Sequence, residues 1–320
     1  MISVVIPAFN AEKTIKECLE SLLGQKVKEG FEVIVVDDGS TDKTAEIVRK
    51  FKKVKLVSQK NSGPASARNN GARKAKGEVV FFTDSDCFAS QGLLQKIFNW
   101  FKDEKVSVLA GSYFTKRKKS FMAKLIELEI RQRHEKIGKF IDSTGTYCFA
   151  IKKKVFFELG GFNESFKKAA GEDTEFCFKL KSKGFKIYFD KSLTVEHEHN
   201  AGLTDYLKDQ FKRGYWRVNV WRKFKQKSSL GGNYLGKSFL PVIVLYGIFW
   251  LSVIVNLFYG FWIISLVLFI LSLIVHLPQA FYAVKKTKNI GFIVVVFIAF
   301  LRVSVWLLGA LKGLSLLIKK

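Results

Sequence analysis

Acid is scarce in this chain. Asp and Glu number 28 against 53 Lys and Arg, a formal net charge of +25 over 320 residues. A surplus of that size points to anionic partners: nucleic acid, an anionic membrane surface or a phosphate-bearing substrate. Cysteine is scarce too. Cys18, Cys87, Cys148 and Cys177 stand far apart and form no C-x-x-C pair. That spacing argues against a metal knot or a disulfide framework and leaves reduced, partly buried thiols. The opening "MISVVIPAFN" has neither a basic n-region nor a long apolar h-region. No secretory signal is expected, and the N-terminal part is expected to be cytoplasmic. No internal repeat is evident.

Charge itself is missing from one long stretch. The 46 residues from Phe239 to Val284 contain no Asp, Glu, Lys or Arg. As one helix they would measure roughly 70 Å at about 1.5 Å per residue, against a hydrocarbon core of about 30 Å. Two spans broken near "NLFYG" (256–260) fit. Basic residues before Phe239 and the loop "KKTKN" (285–289) put both flanks on the cytoplasmic side. Residues 290–311 form a third apolar stretch with Arg302 near its middle. A mid-membrane Arg usually faces protein or water. This stretch is a third span, or else a re-entrant or interfacial helix. The expected division is a globular domain over 1–235 and an all-α transmembrane region of two or three spans over 236–320.

Residues 1–110 read differently. "ISVVIPAF", "FEVIVVDDGS", "VKLVSQ" and "EVVFFTDSD" are strand-like, and "AEKTIKECLESLLGQ", "DKTAEIVRKFKK" and "PASARNNGARKAK" helical. Alternating β and α units with nearly continuous apolar strands imply an α/β domain with a mostly parallel sheet covered on both faces. Ligands gather at the carboxyl ends of such strands. The clusters there are Pro7–Asn10, Asp37–Ser40 and Asp84–Asp86. Further on, "MAKLIELEIRQRHEKI" is an amphipathic helix for the membrane or the core. "TGTYCFAIKKKVFFELGGF" is a strand and a short helix, and "GEDTEFCFKLKSKGF" a helix opening on two carboxylates.

Asp84 and Asp86 are the first residues to suggest chemistry. On an extended strand, residues two apart point the same way. Neighbouring carboxylates repel unless they share a proton or a cation sits between them. A hard divalent ion such as Mg²⁺ or Mn²⁺ satisfies both and also recruits phosphate oxygens.

Four blocks together resemble the family 2 glycosyltransferases of the GT-A, Rossmann-like fold. They are "VVIPAFNAEKTIKECLESLLGQ", "EVIVVDDGSTDKT", "NSGPASARNNGARKAKGEVVFFTDSD" and "GEDTEF". The resemblance covers about residues 1–220 and implies a metal-dependent enzyme of the hexosyltransferase type, with Mn²⁺ or Mg²⁺ as cofactor and a UDP- or GDP-sugar as donor. It implies that Pro7, Ala8 and Phe9 border the nucleobase, with Asp37 or Asp38 accepting a hydrogen bond from it. Gly63 would allow close backbone approach, and Arg68 would reach the base or the diphosphate. Asp84 would contact ribose or metal, Asp86 the metal, and Asp173 would be the general base. Glu172 would raise the Asp173 pKa or hydrogen-bond backbone; a helix-capping role is the plain alternative for both. A histidine of "VEHEHN" would complete the metal site, His197 in preference to His199. Processive members carry Q-x-x-R-W; here Gln210 and Arg213 match as possible acceptor or supporting residues, but Gly214 replaces the Trp.

One base without a nucleophile implies direct displacement with inversion. The chain is therefore expected to be a multi-pass cell-membrane protein with a cytoplasmic catalytic domain. It would pass a sugar to a membrane lipid or lipid-linked acceptor, a polyprenyl-linked glycan or phosphate. Alternatives are a polyprenyl-phosphate sugar synthase and a non-catalytic nucleotide-binding membrane scaffold. Tyr215, Trp216 and Trp221 among Arg and Lys read as an interfacial segment; no nucleic-acid partner is expected.

Overall fold

The computed structural model describes residues 1–115, 120–166, 171–197, 202–223, 239–260 and 262–318. The chain forms two compact units, Met1–Arg117 with Lys136–His199, and Lys118–Glu135 with Asn200–Lys320. The boundary expected at 235 falls inside the second unit. The reason is that residues 121–135 and the helix after residue 202 pack with the apolar helices.

The first unit is an α/β domain around one mixed sheet. Strands β1 (Ile2–Ala8), β2 (Phe31–Asp37), β3 (Val54–Ser58) and β4 (Val79–Phe82) pair in parallel in the order β3-β2-β1-β4. β1 and β4 are buried almost throughout, as parallel strands covered on both faces require. Helices α1 (Ile15–Leu23), α2 (Thr44–Arg49) and α3 (Pro64–Lys74) make the crossovers.

The second half of this sheet departs from the parallel expectation. β5 (Cys87–Ala89), α4 (Leu93–Trp100) and β6 (Val108–Thr115) follow in sequence. After residue 136 come β7 (Phe140–Ile141), β8 (Phe149–Lys152), α6 (Lys153–Glu158), α7 (Glu172–Ser182) and β9 (Ile187–His197). β8 is antiparallel to both β4 and β6, β9 is parallel to β6, and β5 is antiparallel to β9. The β5–β9 register sets His197 opposite Cys87. That pairing carries a histidine to a position one residue past the D-x-D.

The core under β4 is aromatic. The Phe82 ring lies 5.2 Å from Phe156 and 5.3 Å from Phe162, and Phe162 lies 4.9 Å from Phe176. Truncating one of these to Ala would cost about 3–5 kcal/mol, so α6 and α7 are held firmly against the strand that leads to the D-x-D.

The second unit is all-α. It holds α5 (Phe121–Lys136), α8 (Leu203–Lys223), α9 (Phe239–Tyr259), α10 (Trp262–Ile274), α11 (Leu277–Thr287) and α12 (Val295–Ile318). Three segments are long and apolar enough to cross a membrane: Leu240–Tyr259, Trp262–Thr287 and Ile290–Ser315. The break expected near 256–260 falls at Gly260, whose φ of 73° ends α9. Polar contacts tie the hairpin. The Tyr246 hydroxyl donates to Ser272 O at 3.1 Å and lies 2.8 Å from His276 Nε2. Ser252 and Ser265 hydroxyls are 2.8 Å apart. Hydrogen bonds of this kind hold apolar helices together where hydrophobic burial gives no drive.

Candidate active site

Each side chain of the site sits at a strand end or a helix start. At the end of β2, Asp38 is buried and its carboxylate is already engaged. Oδ1 accepts from Gln59 Nε2 and Ser62 N, both at 2.8 Å, and Oδ2 from Gly63 N at 2.9 Å. Asp37 Oδ1 accepts from Ser40 N at 3.1 Å. Asp38 therefore fastens the loop that opens α3, where Gly63 takes φ 92° and Pro64 begins the helix. Ala8 is buried, and its carbonyl accepts from Asp38 N at 2.8 Å. Pro7 is half-buried and Phe9 is 51% exposed beside them.

The D-x-D does not lie on a strand. β4 ends at Phe82, and Asp84–Asp86 form a turn closed by Cys87 N donating to Asp84 O at 3.1 Å. The same-side argument from strand geometry therefore fails, and the two carboxylates part company. Asp84 Oδ1 takes Arg68 Nη2 at 2.7 Å. Asp86 Oδ1 lies 3.3 Å from His197 Nε2.

Arg68 is placed differently from the expectation. It is 4% exposed, and its second nitrogen, Nη1, donates to Glu172 Oε1 at 3.0 Å. Burial disfavours its charge, but Asp84 and Glu172 hold the guanidinium protonated. Here it faces two carboxylates and the Phe162 ring, 5.9 Å from its carbon, rather than open space. Its neighbour Asn69 clamps the Phe162 backbone in both directions, at 2.8 and 2.9 Å. The A-R-N run is a set of internal fasteners.

Glu172 and Asp173 open α7, whose N-cap is Gly171 at φ 104° with no side-chain cap. Glycine, not either carboxylate, occupies the cap. Burial, then the Glu172 charge, push the Asp173 carboxyl up to about 6. A carboxylate poised there can take a proton near neutral pH. A Cβ added at Gly145 would lie 3.6 Å from Asp173 Oδ2 and 2.9 Å from the Tyr147 ring.

Asp86, Cys87 and His197 bring an oxygen, a sulfur and a nitrogen within 4.8 Å of one another. Burial, then Asp84 and Asp86, push the Cys87 thiol well up, so it stays protonated. Burial, with the nearby Asp84 charge, also raises the Asp86 carboxyl. The donor set fits a hard divalent ion on Asp86 and His197, with Asp84 adjacent. His199 and the basic stretch before Phe239 lie outside the described residues.

Gln210 and Arg213 lie on α8, in the second unit. Gly214 has a packing reason: an added Cβ would sit 2.0 Å from Trp306 O. Three residues near the site escaped the sequence. The Tyr113 and Tyr147 rings lie 4.3 Å apart, tilted by 59°, Tyr113 lies 6.1 Å from His197, and Gly145 flanks Asp173. The run T-G-T-Y at 144–147 was a trace of two of them, too short to read.

A parallel half-sheet with crossover helices, a D-x-D turn after its fourth strand and an antiparallel extension is the GT-A fold. A mannosyltransferase from Pyrobaculum calidifontis, solved with GDP-Man and Mn²⁺, superposes with a TM-score of 0.62 at 19% identity, covering 98% of this chain and 86% of that one. Residues 3–160 match the model of Glycosyl transferase family 2, and the chain belongs to that family through this domain. A poly(ribitol-phosphate) beta-glucosyltransferase of Bacillus spizizenii is 39% identical over 117 residues, which are 34% of this chain and 18% of that protein. The probable glycosyltransferase YdaM of Bacillus subtilis is 26% identical over 310 residues, 88% of this chain and 69% of that protein. The chain spans between 17% and 47% of the length of three such curated relatives.

Proposed function

We propose that the protein is a membrane-anchored, inverting glycosyltransferase. It moves a sugar from a nucleotide-sugar donor, UDP- or GDP-linked, to a membrane-associated acceptor, a polyprenyl-linked glycan or phosphate. The carrying observation is the junction at Arg68, which ties the D-x-D turn to the helix bearing Asp173. The nucleobase would sit against Pro7, Ala8 and Phe9. Asp37 is the better base acceptor, since three donors already occupy Asp38. Gly63 gives the diphosphate close backbone approach. Asp86 and His197 would hold Mn²⁺ or Mg²⁺, with Asp84 between metal and ribose. The ion, when bound, would neutralise charge developing on the leaving diphosphate. Asp173 takes the proton from the acceptor hydroxyl on the opposite face of the sugar. With no nucleophile positioned among the described residues, displacement would be direct.

The mannosyltransferase solved with GDP-Man and Mn²⁺ supports this donor and cofactor class. The beta-glucosyltransferase acting on poly(ribitol-phosphate) supports a glycan-building role. The apolar helices support the anchor and a catalytic domain on the cytoplasmic side. The test is titration of UDP- and GDP-sugars with and without Mn²⁺, followed by transfer to polyprenyl-phosphate acceptors in vesicles. Metal-dependent binding with sugar appearing on lipid is the expected result. Binding with no transfer to lipid overturns the acceptor; no metal-dependent binding overturns the reading.

A further inference from the structure

Strands β5 and β9 meet at a pair of residues with metal-binding side chains. Cys87 is the first residue of β5 and His197 the last of β9, and the antiparallel register sets them directly opposite. Side chains opposite one another on such a ladder share a face, their Cβ atoms about 5 Å apart. Asp86 precedes Cys87 in the turn, so the fold brings an oxygen, a sulfur and a nitrogen to one point.

The spacing of these atoms suits a particular class of ion. Asp86 Oδ1 lies 3.3 Å from His197 Nε2 and 3.9 Å from Cys87 Sγ, and all the donor atoms fall within 4.8 Å of one another. A tetrahedral zinc ion at ordinary ligand lengths separates its oxygen and nitrogen by about 3.4 Å and its oxygen and sulfur by about 3.6 Å. The observed edges are close to both. Exposure gives the set a mouth. The Asp86 and His197 side chains are 39% and 21% exposed, whereas Cys87 is 1% exposed. An ion can reach the oxygen and nitrogen from solution and meet the sulfur behind them.

A hard ion has little use for that sulfur. Mg²⁺ and Mn²⁺ favour oxygen ligands, while thiolate and imidazole together suit Zn²⁺.

We propose that Cys87 determines the ion specificity of this site: with Asp86 and His197 it holds Zn²⁺ in a three-ligand tetrahedral site and so excludes the hard ion. Binding forms the Zn–S bond and releases the thiol proton to solvent, with no oxidant or reductant involved. Tetrahedral Zn²⁺ on three protein ligands keeps one open position. A diphosphate that chelates through two oxygens needs two, so Zn²⁺ antagonises donor binding rather than supporting it. The residue that follows the D-x-D thus sets the protein's tolerance of Zn²⁺.

This rests on Asp86 and His197 holding a divalent ion at all, and the experiment separates the two claims. Co²⁺, a spectroscopic stand-in for Zn²⁺, is titrated into the full chain in detergent. The wild-type protein is expected to show the intense visible bands of tetrahedral Co²⁺ together with a near-ultraviolet sulfur-to-cobalt charge-transfer band. Bound Co²⁺ without the sulfur band overturns the role of Cys87 and leaves the ion site standing; no Co²⁺ binding overturns both. Cys87→Ser should abolish the sulfur band, and Cys18→Ser, which alters the other thiol near the turn, should keep it. A band that survives Cys87→Ser overturns the assignment. Affinity is read by displacing bound Mn²⁺ with Zn²⁺ and following the electron paramagnetic resonance signal of free Mn²⁺. Zn²⁺ outbinds Mn²⁺ at most sites of this kind, so the change in the ratio decides. Cys87→Ser is expected to lower the ratio of Zn²⁺ to Mn²⁺ affinity by roughly tenfold or more. An unchanged ratio contradicts the proposal.

Discussion

Arg68 Nη1 lies 3.0 Å from Glu172 Oε1, across 104 residues of sequence, and neither side chain is more than 5% exposed. The same guanidinium holds Asp84. One buried cation thereby joins the turn proposed for the metal to the helix proposed for the base. Arg68→Met should take this cation away from the buried Glu172, at a cost of about 3–5 kcal/mol. Adding Glu172→Gln should recover part of that loss. Thermal melts of both variants check the coupling; equal melting temperatures for single and double mutants would remove it.

Asp86→Ala should abolish the effect of Mn²⁺ on donor binding. His197 alone is a weak site for a hard ion, and Asp84 is already committed to Arg68. Calorimetric titration of UDP and GDP with and without Mn²⁺ is the measurement. An unchanged, still metal-dependent affinity would place the ion elsewhere.

The parallel half of the sheet was legible because its signals are local. Continuous apolar strands, turn residues after them and the Pro at the start of α3 all lie within short windows. The antiparallel half was not. β8 and β9 join β4 and β5 across long separations, and nothing near His197 announces its pairing with Cys87. Residue types at the site could be read, but not their partners. The family resemblance aimed Arg68 at the base or the diphosphate. Its burial depends on Glu172, which only the tertiary fold supplies. The place of α5 was hidden for the same reason, since it lies between two strands of the first unit in sequence yet packs with α11 and α12.

Gly214→Trp would restore the Q-x-x-R-W pattern in sequence and should damage the protein. The new side chain would start 2.0 Å from Trp306 O, and overpacking of this kind costs about 1–3 kcal/mol or more. A fall in melting temperature and proteolysis between α8 and α12 are the expected readouts. A well-folded variant would mean the helices can separate.

The raised Asp173 carboxyl gives two opposite pH dependences. As a base it works when ionised, so transfer should climb as pH rises through about 6 and level off above. Stability runs the other way. The folded state holds this proton more tightly than the unfolded chain, so the contribution is present at low pH and lost as pH rises through about 6. Asp173→Asn should therefore raise the melting temperature more at pH 8 than at pH 5. Melts at the two pH values decide it.

Asp173→Asn assayed for both binding and transfer is the most direct test of the proposed enzyme. The amide keeps the volume but cannot take the acceptor proton. Donor and metal affinity should stay near wild type while transfer falls by roughly 10²–10⁴. Transfer within about threefold of wild type, far above that expected loss, would contradict Asp173 as the base and with it the account of how this site works.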